Sequence, residues 1–277
     1  MLNRWLMRFL SSRVPPWGSR AGLYMVGLAV IAVLALQPAL AQAQRLPPAS
    51  HVDPAAHALL DQAIRALGGP AFLNFQTVST EGRAFSISDG VTNGFVHYES
   101  DEQFPEKRRL SYGLGKKKEI TLINNGDQGW EIDKFGLIEQ TGTQIDGWKR
   151  ANRYGLASLL RRVSHEPGTL IQNGGQDFVE NQAAAIVAIM DVRQVDVKVY
   201  LDNQTHLPIQ VAYRLLNPAT HEWDDYVEIY ADYQRVQGID TPMHLVRYVN
   251  GDRAGETFRF RVQYGQTYSQ SIFQPAG

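Results

Sequence analysis

Apolar and polar residues alternate with a period of two through most of the sequence from residue 75 onward. The pattern is clearest in residues 195–202, 207–215 and 258–264, where Val, Ile, Leu, Phe or Tyr takes every second position. A period of two places alternate side chains on opposite faces of a sheet and is typical of half-buried antiparallel strands. The chain is therefore predicted to fold mainly as consecutive hairpins. Short segments that favour tight turns separate the alternating stretches: Asp89-Gly90, Asn93-Gly94, Asn124-Asn125-Gly126, Asp202-Asn203, Gln237-Gly238 and Asn250-Gly251.

Two segments depart from this pattern and predict helices. Asp53 and Pro54 match an N-cap followed by proline at the first helical position, and Gly68-Gly69 ends an apolar stripe at helical spacing. A second stripe at helical spacing spans residues 147–164. No strand–helix–strand alternation is visible, so a parallel sheet is not expected. Roughly nine to eleven strands and two helices predict an α+β chain built on one large antiparallel sheet.

Residues 1–43 are predicted to form a cleaved signal peptide. They contain four arginines and no acidic residue, and residues 23–36 lack any charged or amide side chain. A basic segment followed by ~7–15 apolar residues and a small-x-small pattern is typical of a secretory signal. An uncleaved membrane anchor is the alternative, although a spanning helix needs ~20 apolar residues. Cleavage after Ala41 or Ala43 makes residues 44–52 a linker and residues 53–277 one domain, which is expected to be soluble and periplasmic.

The charge and cysteine content exclude several classes of protein. The sequence has 27 Lys and Arg against 28 Asp and Glu, and without residues 1–43 its net charge is −5. Nucleic-acid binding is not expected, because phosphate affinity requires a concentrated excess of Lys and Arg. The sequence has no cysteine, which excludes disulfides, thiolate metal sites, a cysteine nucleophile and an acylated cysteine anchor.

No local motif indicates catalysis or metal binding. None of the seven histidines lies three or four residues from another, and neither a phosphate-binding loop nor a Gly-x-Ser-x-Gly motif is present. We therefore expect no metal, no cofactor and no enzymatic activity. The enzymatic alternative is a glycosidase that uses the carboxylates of residues 222–232, since paired carboxylates near aromatic residues can hydrolyse glycosides. Strand parity instead favours a solvated face for Glu228 and Asp232.

The second predicted helix carries a concentrated positive charge. Arg150, Arg153, Arg161 and Arg162 follow Trp148 without an intervening acid. A basic amphipathic helix with a tryptophan at its start is typical of peripheral contact with anionic lipid headgroups or with an acidic partner. The four arginines are therefore candidate headgroup or membrane contacts, and a solvated helix face is the alternative.

Short signatures follow one another along the predicted domain. They are Ala66-Leu67-Gly68-Gly69, Thr80-Glu81-Gly82, Val199-Tyr200-Leu201-Asp202, Thr205-His206-Leu207-Pro208, Tyr230-Ala231-Asp232-Tyr233, Gly238-Ile239-Asp240-Thr241-Pro242 and Phe273-Gln274-Pro275. In this order they resemble the LolA/LolB/LppX-like superfamily of periplasmic lipoprotein and lipid carriers over nearly all of residues 53–275. The resemblance implies a large antiparallel sheet curled into an unclosed half β-barrel, with helices that cover its concave apolar face as a lid. The lack of a cysteine to acylate distinguishes the chain from lipid-anchored members and favours a soluble shuttle or sensor.

The resemblance and the strand parity together suggest which residues form a ligand cavity and its lid. We expect a monomeric carrier or sensor of lipoprotein acyl chains or lipid, since each buried methylene contributes ~0.8 kcal/mol. An envelope module that regulates or holds a protein partner is an alternative from another functional class. The candidate cavity and lid residues are Leu60, Ile64, Leu67, Trp148, Leu156, Leu159, Leu160, Val197, Val199, Val211, Tyr213, Phe258 and Phe260.

Overall fold

Thirteen strands in the described part of the chain form one antiparallel sheet. The computed structural model describes residues 53–275 except for 89, 115–119 and 218–219. The predicted signal peptide (1–43) and linker (44–52) lie outside the described residues. The strands are β1 (Thr77–Ser88), β2 (Val91–Gln103), β3 (Lys107–Gly113), β4 (Ile120–Asn125), β5 (Gln128–Asp133), β6 (Gly136–Glu139), β7 (Leu170–Val179), β8 (Gln182–Met190), β9 (Asp196–Asp202), β10 (Pro208–Leu216), β11 (Trp223–Val236), β12 (Ile239–Val249) and β13 (Asp252–Tyr264).

Helices occupy two places in the described chain. Two precede the sheet, and two more connect β6 to β7. None of the helices in the described ranges combines the length and the apolar character needed to cross a membrane. The helices are α1 (Pro54–Leu67), α2 (Pro70–Asn74), α3 (Gly142–Tyr154) and α4 (Leu156–Arg161), with short 3₁₀ turns at Val163–His165 and Gln270–Phe273.

The sheet consists of two meanders, β1–β6 and β7–β13, joined where β1 pairs with β13. β6 and β7 lie at opposite ends of the strand order and do not pair with each other, so the sheet does not close into a barrel. This confirms the predicted α+β class with one large, unclosed antiparallel sheet. The sheet has thirteen strands rather than the nine to eleven expected. Some strands, such as the short edge strand β6, have no clear alternation of apolar and polar residues and could not be recognised from the sequence.

Helix α1 is fixed at both ends by specific contacts. The Asp53 carboxylate accepts hydrogen bonds from the N–H groups of Ala55 and Ala56 at 3.0 and 3.1 Å, and its other oxygen accepts one from Asn173 of β7 at 2.8 Å. The N-cap predicted from the sequence therefore also joins the helix to the sheet. At the other end, Gly68 has φ +123°, and a Cβ there would lie 2.4 Å from the carbonyl oxygen of Gly238. Glycine thus permits a close approach of the helix end to the β11–β12 turn.

The helix predicted over residues 147–164 is two helices. α3 begins earlier than expected, because Thr141 and Gln144 form a capping box. Gly155 then adopts an extended backbone (φ −63°, ψ 144°) and separates α3 from α4. The apolar residues that were predicted to form one helix face are therefore divided between α3 and α4.

The main hydrophobic core lies between the helices and one face of strands β7–β12, which we call the concave face. Leu159 and Leu160 of α4 are fully buried there, as are Val197 and Val199 of β9. A smaller cluster of Tyr112, Ile120 and Leu122 lies on β3 and β4, packed against partly buried neighbours on β2 and β3. The core is therefore concentrated in the β7–β12 half of the sheet.

The end of the described chain packs on the other half of the sheet. Phe273 of the last 3₁₀ turn is fully buried, and Nη1 of Arg109 in β3 donates a hydrogen bond to the carbonyl oxygen of Ile272 at 3.2 Å. Tyr268 donates a hydrogen bond to Asp101 of β2 at 3.0 Å. Arg109 and Asp101 are register partners on neighbouring strands, so this turn covers one patch of the outer face.

Candidate functional site

Ten of the thirteen predicted cavity and lid residues meet in one apolar cluster. We call this part of the concave face, under α1 and α4, the covered half. In it the helix side chains lie directly on the strand side chains, so the helices fill the space that a ligand would occupy. The residues of the cluster are Leu60, Ile64, Leu67, Leu156, Leu159, Leu160, Val197, Val199 and Val211, with Tyr213 packed at its margin.

The covered half holds the helices mainly through apolar contacts. Leu60, Ile64 and Leu67 form the buried stripe of α1, and burying a side chain of this size stabilises the folded state by roughly 1.5–3 kcal/mol. Any ligand that reaches this face must take over the contacts of the helices. In this structure α1 and α4 therefore cover the apolar side chains of the strands.

One further predicted residue lies where α3 crosses the sheet. Trp148 is buried, and the Arg108 guanidinium of β3 lies 5.9 Å from the centroid of its ring. At the other end of α3, the Tyr154 ring lies 4.8 Å from that of Tyr213 in β10, which itself stacks on Tyr226 at 5.2 Å. α3 therefore spans the concave face between the two meanders.

Phe258 and Phe260 lie on the outer face of the sheet rather than in the cavity expected for them. Phe258 stacks on His244 at 4.3 Å, and Phe260 is 56% exposed. β13 contains a bulge opposite the Glu81–Gly82 step of β1, where the register shifts by one residue. The bulge reverses the facing of the side chains, so that Tyr264, but not Phe258, packs against the main core.

Arg153 is an internal contact rather than the headgroup contact expected from the sequence. It is 6% exposed, and its guanidinium binds Glu166 at 2.6 and 2.9 Å and Asp191 at 2.9 Å. Tyr154 also donates a hydrogen bond to Asp191, at 3.1 Å. The hydrogen bond from Arg153 is the main cause that lowers the pKa of Glu166. Burial alone would raise the pKa of Asp191, but hydrogen bonds from the Val195 backbone and from Arg153 outweigh it and the pKa is lowered.

Arg161 joins α4 to the segment between α2 and β1. Its guanidinium donates hydrogen bonds to the carbonyl oxygens of Leu73 and Phe75 at 3.1 and 2.5 Å, and it lies over the rings of Phe75 and Phe104 at 4.1 and 4.7 Å. Burial lowers its pKa. Arg161 is thus also used within the fold, in contrast to the expected lipid contact.

The other two arginines of this region are less enclosed. Arg162 lies 3.5 Å from Glu106, and Arg150 is half-buried on α3. A small pocket of about 190 Å³ lies beside Arg161 and Arg162, between the helices and the turn that follows β2. It is smaller than the ~300–1,000 Å³ of typical ligand pockets, so this pocket does not hold an acyl chain without movement of the helices.

Beside the covered half, the concave face is polar and aromatic. Glu228 is the register partner of Val211 and of Arg247, so all three point to the same side. Nη2 of Arg247 lies 2.8 Å from Glu228, and the Tyr230 hydroxyl donates to Glu228 at 2.5 Å. Burial would raise the pKa of Glu228, but Arg247 and Tyr230 outweigh it and lower the pKa. The solvated face expected for Glu228 is therefore corrected to the concave face.

Two more arginines belong to this polar region, which we call the open half. Arg108 is the register partner of Glu102 and donates a hydrogen bond to Asn124 at 3.0 Å. Burial is the main cause that lowers the pKa of Arg108 to about 10; Glu102 opposes this effect and Arg247 adds to it. Arg108 and Arg247 are on strands separated in the sheet by β2, β1 and β13, so the curl of the sheet brings their charges together.

Arg259 contributes the third guanidinium of the open half. It is the register partner of Gly82, which pairs in turn with Tyr98. Its Nη1 donates to the carbonyl oxygen of Pro242 at 3.0 Å, and it also hydrogen-bonds the Tyr98 side chain. A Cβ at Gly82 would lie 2.8 Å from the Tyr98 ring and 2.2 Å from a backbone oxygen. Because glycine has no Cβ, the ring of Tyr98 can lie over residue 82 and reach Arg259.

The carboxylates of residues 222–232 do not converge as a glycosidase pair would. Asp224 is buried and accepts hydrogen bonds from the side chains of Asn217 and Asn250, both at 2.9 Å. Asp225 pairs with Arg214 at 2.6 Å. Since the pKa of Glu228 is lowered, this group is not a general acid at neutral pH. Among the described residues, no three His, Asp or Glu side chains form a group that could hold a metal ion.

Sequence reasoning missed the open half because its side chains come from positions far apart in the sequence. Glu228 and Arg247 are 19 residues apart, and Arg108 is more distant still. The one signal that could have found Arg247 is the hairpin between β11 and β12, in which a glutamate and an arginine can be placed opposite each other once the turn at Gln237-Gly238 is known.

Comparison with solved structures places the fold among known ones. A DUF1329 family protein from Desulfovibrio piger matches with a TM-score of 0.54 at 10% identity, and a LolA superfamily protein from Nitrosomonas europaea with 0.51 at 10%. An outer membrane lipoprotein-sorting protein domain from Vibrio parahaemolyticus matches with 0.51 at 9%. Each match covers 79% of this chain and 97% of the other. No protein-family model matches the sequence, and no curated protein does. The chain therefore has the LolA-like fold that its ordered sequence signatures indicated.

Proposed function

We propose that this protein is a carrier or sensor that binds a hydrophobic ligand, an acyl chain or a lipid, between the concave face and helices α1 and α4. The covered half supports this proposal, because it is a curved apolar sheet face whose cover is a set of short helices. Each methylene of an acyl chain gains ~0.8 kcal/mol on leaving water. When an acyl chain displaces the helices from this face, the free energy gained by burying its methylene groups therefore offsets the loss of the apolar contacts of the helices.

The attachment of the helices supports the same proposal. Arg153 and Arg161 hold α3 and α4 at their ends by polar contacts, and Gly155 between the two helices has an extended backbone. Contacts of this kind break one at a time, whereas the sheet is held by a continuous ladder of backbone hydrogen bonds. Opening then moves α1 and α4 and leaves the strands in place.

Export belongs to the proposal as well. Residues 1–43 have the outline of a signal peptide, and on this basis we propose that the carrier is exported to the periplasm. N-terminal sequencing of the exported protein tests this step: a mature chain that begins at Gln42 or Gln44 agrees with it, and one that retains Met1 contradicts it.

The binding step is tested with the purified exported protein and a fluorescent acyl probe. We expect saturable binding of one probe per chain by native mass spectrometry. We also expect faster amide hydrogen exchange in α1 and α4, but not in β8 and β9, when the probe is bound, because the helices leave the sheet and the strands do not. An extract of the protein as isolated, analysed for lipids, gives the natural ligand.

The matched control is a pair of alanine variants. Val211→Ala removes apolar surface from the covered half, whereas Phe260→Ala removes it from the outer face. Weaker probe binding by the first variant alone is the expected result. Failure of the wild-type protein to bind any acyl probe, or binding that both variants weaken equally, contradicts the proposed site.

A further inference from the structure

We propose that the open half of the concave face binds the anionic head group of the ligand, a carboxylate or a phosphate, while the apolar chain lies in the covered half. The inference rests on the proposed function and adds the chemical class of the ligand. It depends on the arrangement of three arginines, Arg108, Arg247 and Arg259, around two glutamates, Glu102 and Glu228.

The charges of these five side chains do not cancel, although two further carboxylates, Glu131 of β5 and Asp224 of β11, lie on the same face of the sheet. Glu228 is bound by Arg247 at 2.8 Å and by the Tyr230 hydroxyl, and Glu102 accepts a hydrogen bond from Ser100 at 3.0 Å. With both glutamates ionised, three guanidinium groups leave one positive charge in excess. An anion bound beside these guanidinium groups, on the same face of the sheet, would balance this charge. It would also reduce the repulsion between Arg108 and Arg247.

Two of the arginines also have unused donors. The Nε atoms of Arg108 and Arg259 are buried and have no hydrogen-bond partner in the described part of the chain. A buried donor without a partner costs free energy, so a group that accepts a hydrogen bond from it is favoured. Arg161, Arg162 and Arg253, outside the open half, each have one such nitrogen as well. Carboxylates and phosphates are the groups that guanidinium donors bind most strongly.

Arg247 provides the access from solvent. Its side chain is 42% exposed although it lies on the concave face next to Glu228. A planar guanidinium has five N–H donors, and the contact with Glu228 uses one of them. The remaining donors can receive an anion without breaking the pair.

The position of the arginines selects an amphiphile rather than a free ion. Val211 of the covered half is the register partner of Glu228, which is in turn the partner of Arg247. The apolar and charged surfaces are therefore adjacent on the same face, two strands apart. Tyr213 stacks on Tyr226 and contacts the tilted ring of Tyr154 at this boundary. A ligand with a charged head and an apolar tail matches this order of surfaces.

The experiment compares three probes with the same twelve-carbon chain: dodecanoate, dodecyl phosphate and dodecanol. Isothermal titration with the exported protein measures the dissociation constant of each. We expect one or both anionic probes to bind about tenfold more tightly than the alcohol, the size of one charge-assisted hydrogen-bond contact. The anion that binds more tightly identifies the source of the head group as a fatty acid or a phospholipid.

Two variants assign this preference to the open half. Arg247→Gln is expected to remove most of the preference for the anionic probes while dodecanol binding stays within about twofold. Arg247→Lys keeps the charge and is expected to retain part of the preference. Arg214→Gln is the matched control, since Arg214 is an exposed arginine on the neighbouring strand pair that binds Asp225, and it should leave all three dissociation constants unchanged.

The outcomes separate this inference from the proposed function. Equal binding of all three probes by the wild-type protein overturns the head-group site and leaves the carrier proposal standing. An anion preference that survives Arg247→Gln in a folded variant with an unchanged circular dichroism spectrum also overturns the site. Absence of binding by all three probes contradicts the proposed function itself.

Discussion

Nη2 of Arg153 on α3 lies 2.9 Å from Oδ2 of Asp191, the residue that follows β8. Asp191 is completely buried and also accepts hydrogen bonds from the backbone N–H groups of Arg193 and Val195, both at 2.9 Å. The same carboxylate therefore shapes the β8–β9 turn and holds α3 on the sheet. Since Arg153 provides the only cation bound to it among the described residues, the attachment of α3 to the sheet depends on this pair.

Replacement of Arg153 by Met is expected to destabilise the fold by about 3 kcal/mol, because it leaves the Asp191 carboxylate buried without its cation. Denaturant unfolding monitored by circular dichroism measures the change. Arg162→Met is the control, since Arg162 is more exposed and lies 3.5 Å from Glu106; a loss below about 1 kcal/mol is expected for such a pair. Equal losses in the two variants would contradict the role given to Arg153.

The same contacts predict an acid-dependent loss of stability. The folded-state pKa values of Glu166 and Asp191 are both lowered. A lowered folded-state pKa contributes stability that is present above the unfolded-state value, about 4 for these residues, and is lost as the pH falls through the folded-state value. The unfolding free energy of the wild-type protein should therefore fall as the pH is lowered below about 4.

The Arg153→Met variant is the control for this pH dependence. Without the guanidinium, the pKa values of the two carboxyl groups rise towards or above those of the unfolded chain. The difference in unfolding free energy between wild type and variant should therefore shrink as the pH is lowered from 6 to 3. A difference that is constant over this range would show that Arg153 does not lower these pKa values.

Arg161 is expected to control the exposure of α4 more than the stability of the whole domain. Arg161→Gln removes the hydrogen bonds to Leu73 and Phe75 and the stacking on Phe75 and Phe104. Amide hydrogen exchange of α4 should become at least about tenfold faster, which corresponds to a loss of ~1.4 kcal/mol in local stability, while β8 and β9 keep their protection. Arg65→Gln, on an exposed position of α1, should change neither rate. Faster exchange throughout the sheet would instead indicate global destabilisation.

The parts of this fold that follow from short-range rules could be predicted from the sequence. Alternation in residues 195–202 places Val197 and Val199 on the buried face, and the Asp53–Pro54 start and the Gly68 end of α1 follow from capping rules. Each of these features depends on residues close together in the chain. The unclosed sheet was expected from the resemblance to a known superfamily, which the order of the short sequence signatures carried.

The features that could not be predicted depend on one-residue irregularities or on distant partners. The bulge in β13 moves Phe258 and Phe260 to the outer face, and a single inserted residue leaves no mark in an alternating pattern. Likewise, Arg153 looks like any basic helix residue until Glu166 and Asp191 are placed beside it. A cluster of basic residues in a sequence therefore does not show whether an arginine contacts a ligand at the surface or forms a buried ion pair.

Leu160→Ala tests the coupling between lid packing and ligand affinity. Leu160 of α4 is fully buried in the covered half, so its truncation should cost about 2–5 kcal/mol. Because the lost contacts hold the lid closed, the open form should become more populated and an acyl probe should bind more tightly. Phe260→Ala removes a larger side chain from an exposed position and should change stability by no more than about 0.5 kcal/mol, with no change in affinity.

The two measurements for Leu160→Ala must be made on folded protein, at denaturant-free conditions where circular dichroism matches the wild type. A lower dissociation constant together with lower stability agrees with a lid that competes with the ligand for the same sheet face. Weaker binding in a folded variant would mean that Leu160 contacts the bound ligand directly and that α4 stays in place. An unchanged dissociation constant would show that α4 does not move when the ligand binds. The moving element would then be α1.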